Sequence, residues 1–240
     1  MRARSGGGWP GLGLWVGLAL WAAPAAAEPG PGAASVSPGA SEAQVRATVL
    51  LVVLSDPRPG ARAFAAAHVD AIEAELRRVY QVEVRRLATR PLPRSAYYPR
   101  RRRYRADTLL EYLGEQIPAG MRADTRVLGL TTADISTTKD QFKDWGVFGL
   151  GQLGGTAAMV SSHRLTRKAK SPAQALWRVT NTAVHELGHV LGLDHCEEQG
   201  CVMLDAQGGI ANTGVPGPQC RAKLDVRSPL RPADAVGSAR

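Results

Sequence analysis

Three of the chain's five histidines fall in one stretch, HELGHVLGLDH, from His185 to His195. His185 and His189 are four residues apart. On a helix that spacing puts both imidazoles on one face, with Cβ atoms roughly 5–6 Å apart. Each can then reach one zinc ion at about 2.0–2.1 Å. Glu186 lies between them, turned off the ligand pair but near the metal's open side, where a base for a bound water must stand. Gly192 comes three residues after His189. Glycine takes positive φ without penalty, so it can end the helix and turn the chain back. That turn lets His195 reach the same ion as a third ligand. Three neutral imidazoles leave the fourth tetrahedral position for water, the open geometry of a catalytic site. Such an ion lowers the pKa of water from about 15.7 toward about 7, roughly 12 kcal/mol of stabilised hydroxide at 1.36 kcal/mol per unit. Glu186 would take the proton during attack on a carbonyl and pass it to a leaving amine.

The elements that must position these groups can be read from periodicity. Ser171-Pro172 is a helix start, and the helix it opens, from about Ala173 to Leu191, carries the first two histidines. Thr48–Ser55, TVLLVVLS, is a continuous apolar run of strand length, suited to a central sheet position. Ala61–Tyr80 has helical spacing, with Phe64, Val69, Ile72, Leu76 and Val79 on one side. Val82–Leu87 begins as a strand. Thr89–Tyr104, rich in Pro, Tyr and Arg, reads as a long surface loop. Ala106–Ile117 is a second helix, Arg126–Thr131 a third strand, Thr138–Gly155 a Gly- and aromatic-rich loop, and Thr156–His163 a fourth strand. The order predicts an α/β (α+β) domain, a twisted mixed sheet with helices packed on it. Of the two remaining histidines, His68 sits in an alanine-rich helix without a partner and reads as structural or surface, and His163 as an ordinary strand position.

HExxHxxGxxH followed by a methionine resembles the metzincin signature, with Met203 in the Met-turn position beneath the zinc. The continuation HCEEQGCVM, Cys196 and Cys201 included, is similar to the archaemetzincins. So are RYRADTLLEYL (Arg103–Leu113), LGLTTADI (Leu128–Ile135), FGLGQ (Phe148–Gln152) and VSSHRL (Val160–Leu165). The resemblance spans roughly residues 45–224. It implies a zinc metallopeptidase acting on peptide or protein substrates, a zincin fold with an active-site helix, and Thr156–His163 as the antiparallel edge strand that pairs with substrate. It also implies a second, structural zinc held by four thiolates. This chain has three cysteines, Cys196, Cys201 and Cys220, and Gly217 stands where the fourth would be. A second zinc completed by water or another side chain, a disulfide with one thiol left over, and free thiols all remain open to them. Asp194 either orients ligands or is a solvated turn carboxylate.

The first 27 residues stand apart from this domain. Arg2 and Arg4, the apolar run Leu12–Ala23 and Ala25-Ala26-Ala27 have the three parts of a secretory signal peptide. Cleavage is expected after Ala27, with export to the periplasm or medium. The apolar run is shorter than the roughly 20 residues a membrane span needs. Residues 28–44, rich in Pro, Gly, Ala and Ser, read as a flexible linker, and residues 225–240 as a disordered tail. A net charge of +9 over 240 residues draws much of its excess from one run, Arg100–Arg103 with Arg105. A nucleic-acid partner needs a basic face with a fold behind it, so none is expected, and the run reads as a solvated loop. The rival functions are a weakly catalytic metal-containing binding protein on the same fold and a basic, surface-associated polyanion binder. A monomer is expected.

Overall fold

The computed structural model describes residues 47–121, 123–205 and 215–226, all within one compact unit. The expected leader, the linker and residues 227–240 lie outside the described residues. In chain order the elements are β1 (Thr48–Ser55), α1 (Ala66–Tyr80), β2 (Glu83–Arg86), β3 (Arg90–Pro91), β4 (Tyr97–Tyr98), β5 (Arg103–Arg105) and α2 (Ala106–Gly114). Then come β6 (Thr125–Thr131), β7 (Ile135–Lys139), β8 (Phe142–Val147), β9 (Gly149–Gly151), β10 (Ala157–Ser161), α3 (Ser162–Arg167), α4 (Pro172–Val190) and α5 (Pro218–Val226).

The main sheet runs β2-β1-β6-β10-β9, with β3 also on β1. Every pairing in it is parallel except β9 against β10. A strand covered on both faces needs apolar residues at consecutive positions, and β1 has them from Val49 to Leu54. Val49 and Leu51 pack with Ile72 and Leu76 of α1 and Val184 and Leu187 of α4. Leu50, Val52 and Leu54 pack on the other face with Leu109 and Leu113 of α2. Each such side chain contributes about 1.5–3 kcal/mol on full burial. α1 starts at Ala66, five residues later than its apolar spacing suggests. The Thr132 hydroxyl donates to the Arg62 carbonyl at 2.7 Å, which takes that acceptor out of any helical ladder.

Three expectations are corrected. The segments Thr89–Tyr104 and Thr138–Gly155 are not simple loops: they supply a second sheet, β4-β5-β7-β8, and β9. Thr156–His163 is not the edge strand. Its strand, β10, is buried at every position and lies between β6 and β9, so β9 is the antiparallel edge. His163 falls in the first turn of α3 rather than on a strand. Within the small sheet β4 pairs β5 and β7 pairs β8 as sequence neighbours, but β5 meets β7 across some thirty residues, with Tyr104 opposite Ile135, and that junction has no local signal. The rings of Tyr97 and Tyr104 pack 5.2 Å apart, with the Arg58 guanidinium 5.1 and 5.5 Å from their centroids.

The basic run is partly an internal ion-pair network. Arg103 meets Asp134 at 2.8 Å and Asp144 at 3.1 Å, Arg101 meets Asp144 at 3.7 Å, and Arg105 meets Asp107 at 3.1 Å. Arg164 of α3 meets the other Asp134 oxygen at 2.6 Å. Burial pushes the Asp134 carboxyl up, but the hydrogen bonds and charge of Arg164, with the charge of Arg103, hold it below its ordinary value. A depressed carboxylate contributes stability above its unfolded pKa of about 3.9, and that stability is lost as pH falls through the folded value. Asp134→Asn should therefore cost about 2 kcal/mol at pH 7. In urea unfolding the gap to the parent should narrow as pH falls below about 3.9 and close only below the folded carboxyl's own, lower value. A gap unchanged in acid would mean that charge is not what Asp134 contributes.

Candidate metal centre

α4 begins as its sequence indicates. The Ser171 hydroxyl accepts from the Gln174 N–H at 3.1 Å, and Pro172 occupies the first turn. It ends at Gly192, whose φ is 89°. The Gly192 N–H donates to the His189 carbonyl at 2.8 Å and the Leu193 N–H to the Gly188 carbonyl at 2.9 Å. This is the paired-bond glycine stop, and it reverses the chain so that His195 returns to the helix. α1 steadies the same helix through the Tyr80 hydroxyl, which donates to the Val184 carbonyl at 2.7 Å.

His185, His189 and His195 converge, each offering a ring nitrogen within 4.8 Å of the others. The Nδ1 of His185 lies 2.8 Å from the Val202 carbonyl, and that of His189 lies 2.8 Å from the Leu193 carbonyl. A carbonyl only accepts, so each Nδ1 carries the proton and each Nε2 keeps a lone pair. The two Nε2 atoms face one another at 3.1 Å. Two lone pairs so placed repel unless a cation lies between them, and tetrahedral ligands about 2.0–2.1 Å from one ion stand about 3.3 Å apart. The donor set therefore fits zinc. Burial pushes His185 down to about 4, with the Val202 bond opposing and the neighbouring histidines adding to the fall. Burial likewise lowers His189. Both rings are neutral near pH 7, as ligation requires.

Glu186 is buried against β9. A Cβ on Gly149 would stand 2.5 Å from its Cγ and 2.7 Å from its Oε1, and one on Gly151 would strike its backbone oxygen. FGLGQ therefore carries glycine at alternate positions so that the edge strand can lie directly on the helix. Periodicity alone missed this role, although the alternation is visible. Burial pushes the Glu186 carboxyl up to about 8, with the Gly151 N–H pulling the other way. A dication at the histidines would favour the carboxylate form. Met203 is fully buried, with its sulfur in the space a Cβ on Gly188 would need. Asp194 is exposed and accepts from the His195 N–H at 2.8 Å, a bond within the turn. His68 and His163 are not drawn in: they line a separate groove of about 850 Å3 near the start of α4.

The three cysteines form a second cluster, with sulfurs within 4.8 Å of one another and no disulfide among them. Cys201 and Cys220 stand 3.7 Å apart, close to the roughly 3.8 Å between two sulfurs each 2.3 Å from one tetrahedral ion. Burial raises the Cys201 thiol, but N–H donors from Gly217 and Met203 outweigh it and hold the thiol below its ordinary value. The cluster adjoins the histidines through the backbone, since Cys196 follows His195 and its N–H donates to the Met203 carbonyl at 3.0 Å.

The model of Peptidase family M54 matches residues 69–209. The chain belongs to peptidase family M54. The archaemetzincin of Haloquadratum walsbyi is 34% identical over 137 residues, which cover 54% of this chain and 74% of that protein. The archaemetzincin of Methanopyrus kandleri is 40% identical over 113 residues, 47% of this chain and 58% of that one, and its crystal structure superposes with a TM-score of 0.61 at 28% identity, covering 80% of this chain and 98% of that chain. The archaemetzincin of Archaeoglobus fulgidus gives a TM-score of 0.58 at 27% identity over 73% of this chain and 99% of that chain. As an M54 peptidase this protein is a zinc-dependent metallopeptidase, a mixed α/β domain of the same fold.

Proposed function

We propose that the protein is an exported peptidase in which His185, His189 and His195 hold the catalytic zinc and Glu186 moves the proton. The observation that carries this is the pair of Nε2 lone pairs aimed at one point, beside a buried carboxyl on the same helix. Zinc, when held there, polarises a carbonyl oxygen and makes water acidic enough to attack near neutral pH. The Glu186 carboxylate accepts the proton of the attacking water as the new C–O bond forms. It then delivers that proton to the amine nitrogen as the C–N bond breaks. The Gly151 N–H keeps the carboxyl aimed while it changes charge.

The substrate is a peptide lying along β9, the edge of the main sheet, where unpaired backbone groups can add a strand. The placement of β9 against Glu186 supports this site over the neighbourhood of β10. A quenched fluorescent peptide library tests the reading. Cleavage should stop when a chelator removes metal and return when zinc is added back, and cleavage indifferent to the chelator would refute it.

Export rests on the three-part pattern of residues 1–27. The mature protein recovered from an export host should begin at Glu28, and an intact Met1 in that fraction would remove the leader from the reading. The polyanion alternative is weakened by the ion pairs that engage Arg101, Arg103 and Arg105. The intact Glu186 argues against a binding protein without turnover.

A further inference from the structure

The groove of about 850 Å3 near the start of α4 contains none of the three convergent histidines. It lies outside the carboxyl ends of three parallel strands. Asp56 follows β1, Thr132 follows β6 and Ser162 follows β10, and all three line it. β1 has β2 on one side and β6 on the other, so the strand order turns back between β1 and β6. Open α/β sheets leave a crevice for a ligand at such a point. The groove runs on into a smaller hollow of about 360 Å3, which shares Asp56, Arg58, Arg102 and His163 with it and adds Arg101. Together they make an elongated trough.

Its charge is one-sided. Two carboxylates line it, and both are engaged. Asp56 accepts from the Arg58 Nε at 2.9 Å and from the Tyr104 hydroxyl at 3.2 Å, and Asp134 is held by Arg103 and Arg164. Arg62, Arg102, Arg167 and Lys170 also line the groove. All four are exposed, and none has an ion-pair partner among the described residues. They come from separate segments: the lead-in to α1, the turn before β5, the end of α3 and the turn before α4. The backbone under two of them is fixed. The Thr132 hydroxyl donates to the Arg62 carbonyl at 2.7 Å, and the Arg58 guanidinium donates to the Arg102 carbonyl at 3.2 Å. Arg102 stands at φ 55°, a left-handed conformation uncommon for arginine. The main chain is tied down while the charged heads stay unpaired. Cations spread along a trough suit a ligand that carries several negative charges in a row.

The trough also meets the path proposed for substrate. Gly149, the first residue of β9, pairs with Val160 of β10, and the Ser161 N–H donates to the Phe148 carbonyl at 2.8 Å. That end of β9 therefore lies beside Ser162, on the groove wall. Along α4, Ala175 of the groove and His185 of the metal centre are ten residues apart, about 15 Å. An extended chain covers that distance in about five residues.

We propose that the trough binds an acidic stretch of a polypeptide substrate, about five or more residues from the bond to be cleaved. Its place in a substrate rests on the peptidase reading; the preference for an acidic chain does not. Binding is measured first, without turnover, on the zinc-loaded Glu186→Gln protein, by fluorescence anisotropy of a labelled oligoglutamate peptide at low ionic strength, where exposed charges are least screened. An oligoglutamine peptide of equal length is the control. Oligoglutamate should bind and oligoglutamine should not. Each exposed ion pair is worth a factor of roughly two to five, so adding Arg62→Ala, Arg102→Ala, Arg167→Ala and Lys170→Ala together should weaken binding at least about tenfold. Arg62→Lys, Arg102→Lys and Arg167→Lys together keep the charge and should bind within a few-fold of the parent. Oligoglutamate binding that is absent, or that the alanine variant retains, would overturn the proposal. So would a sulfated polysaccharide of equal charge that binds more tightly through the same four side chains.

Turnover is measured second. A fluorogenic peptide with glutamates placed about five or more residues from its cleaved bond should show a KM about tenfold below that of its glutamine counterpart, and the alanine variant should lose the difference. Equal KM values in the parent would overturn the role in substrate binding. Oligoglutamate that binds while neither peptide is hydrolysed would sink the peptidase reading, and the substrate role with it, but leave the acidic-chain site standing.

Discussion

Glu186→Gln should leave the chain folded and loaded with zinc while kcat for peptide hydrolysis falls by roughly 10²–10⁴, the range for loss of a positioned general acid–base, or about 3–5 kcal/mol of barrier. Glutamine keeps the size of the side chain and an oxygen for the Gly151 N–H, so the contact with β9 survives. What it cannot do is hold the proton between attack and departure. KM should change little, because the carboxyl's part is to carry a proton as bonds form and break, while the peptide is held along β9. Stopped assays on one fluorogenic peptide, with metal content measured on the same preparation, decide the matter. A variant within a few-fold of the parent would move the base elsewhere.

His189→Ala should have the second large effect, and on a different quantity. The His189 ring is one of three nitrogens converging on the site, and its Nδ1 is held by the Leu193 carbonyl in the helix stop. Loss of a partner one step removed from a metal already costs roughly 10–100-fold in affinity, so loss of a ligand should cost more. Hydrolysis should fall to the uncatalysed background, and zinc content should fall by one ion per chain. The cysteine cluster contains none of the three histidines, so any ion bound there should stay. Full zinc occupancy in this variant would mean that the histidines are not what holds the catalytic metal.

Taken together the two variants separate chemistry from binding. Glu186→Gln keeps the ion and loses the proton carrier. His189→Ala loses the ion and leaves the carboxyl without the cation that favours its charged form. In the metal-free state burial holds that carboxyl near 8, so it is protonated at neutral pH and could not accept a proton from water.

Much of the centre was determined by the sequence itself, because its information is local. Four-residue spacing on one helix, a Ser-Pro start and a glycine stop act within a few turns of chain, so the structure has α4 from Pro172 to Val190 and brings His195 back beside His185 and His189. The unbroken apolar run of β1 likewise announced a strand covered on both faces. Other decisions belonged to the tertiary structure. Which strand forms the sheet edge depends on β9 pairing with β10, and a three-residue Gly-Leu-Gly strand has too little side-chain pattern to reveal itself. The small sheet joins β5 to β7, and Arg103 to Asp134 and Asp144, some thirty to forty residues apart, so a run of arginines that reads as solvated is partly engaged. The carboxyl of Glu198 lies where a Cβ on Gly217 would stand because the CEEQGC loop and the start of α5 fold against each other. Spacing along a chain prescribes what one helix presents; only packing between distant segments decides which group fills the space a missing side chain leaves.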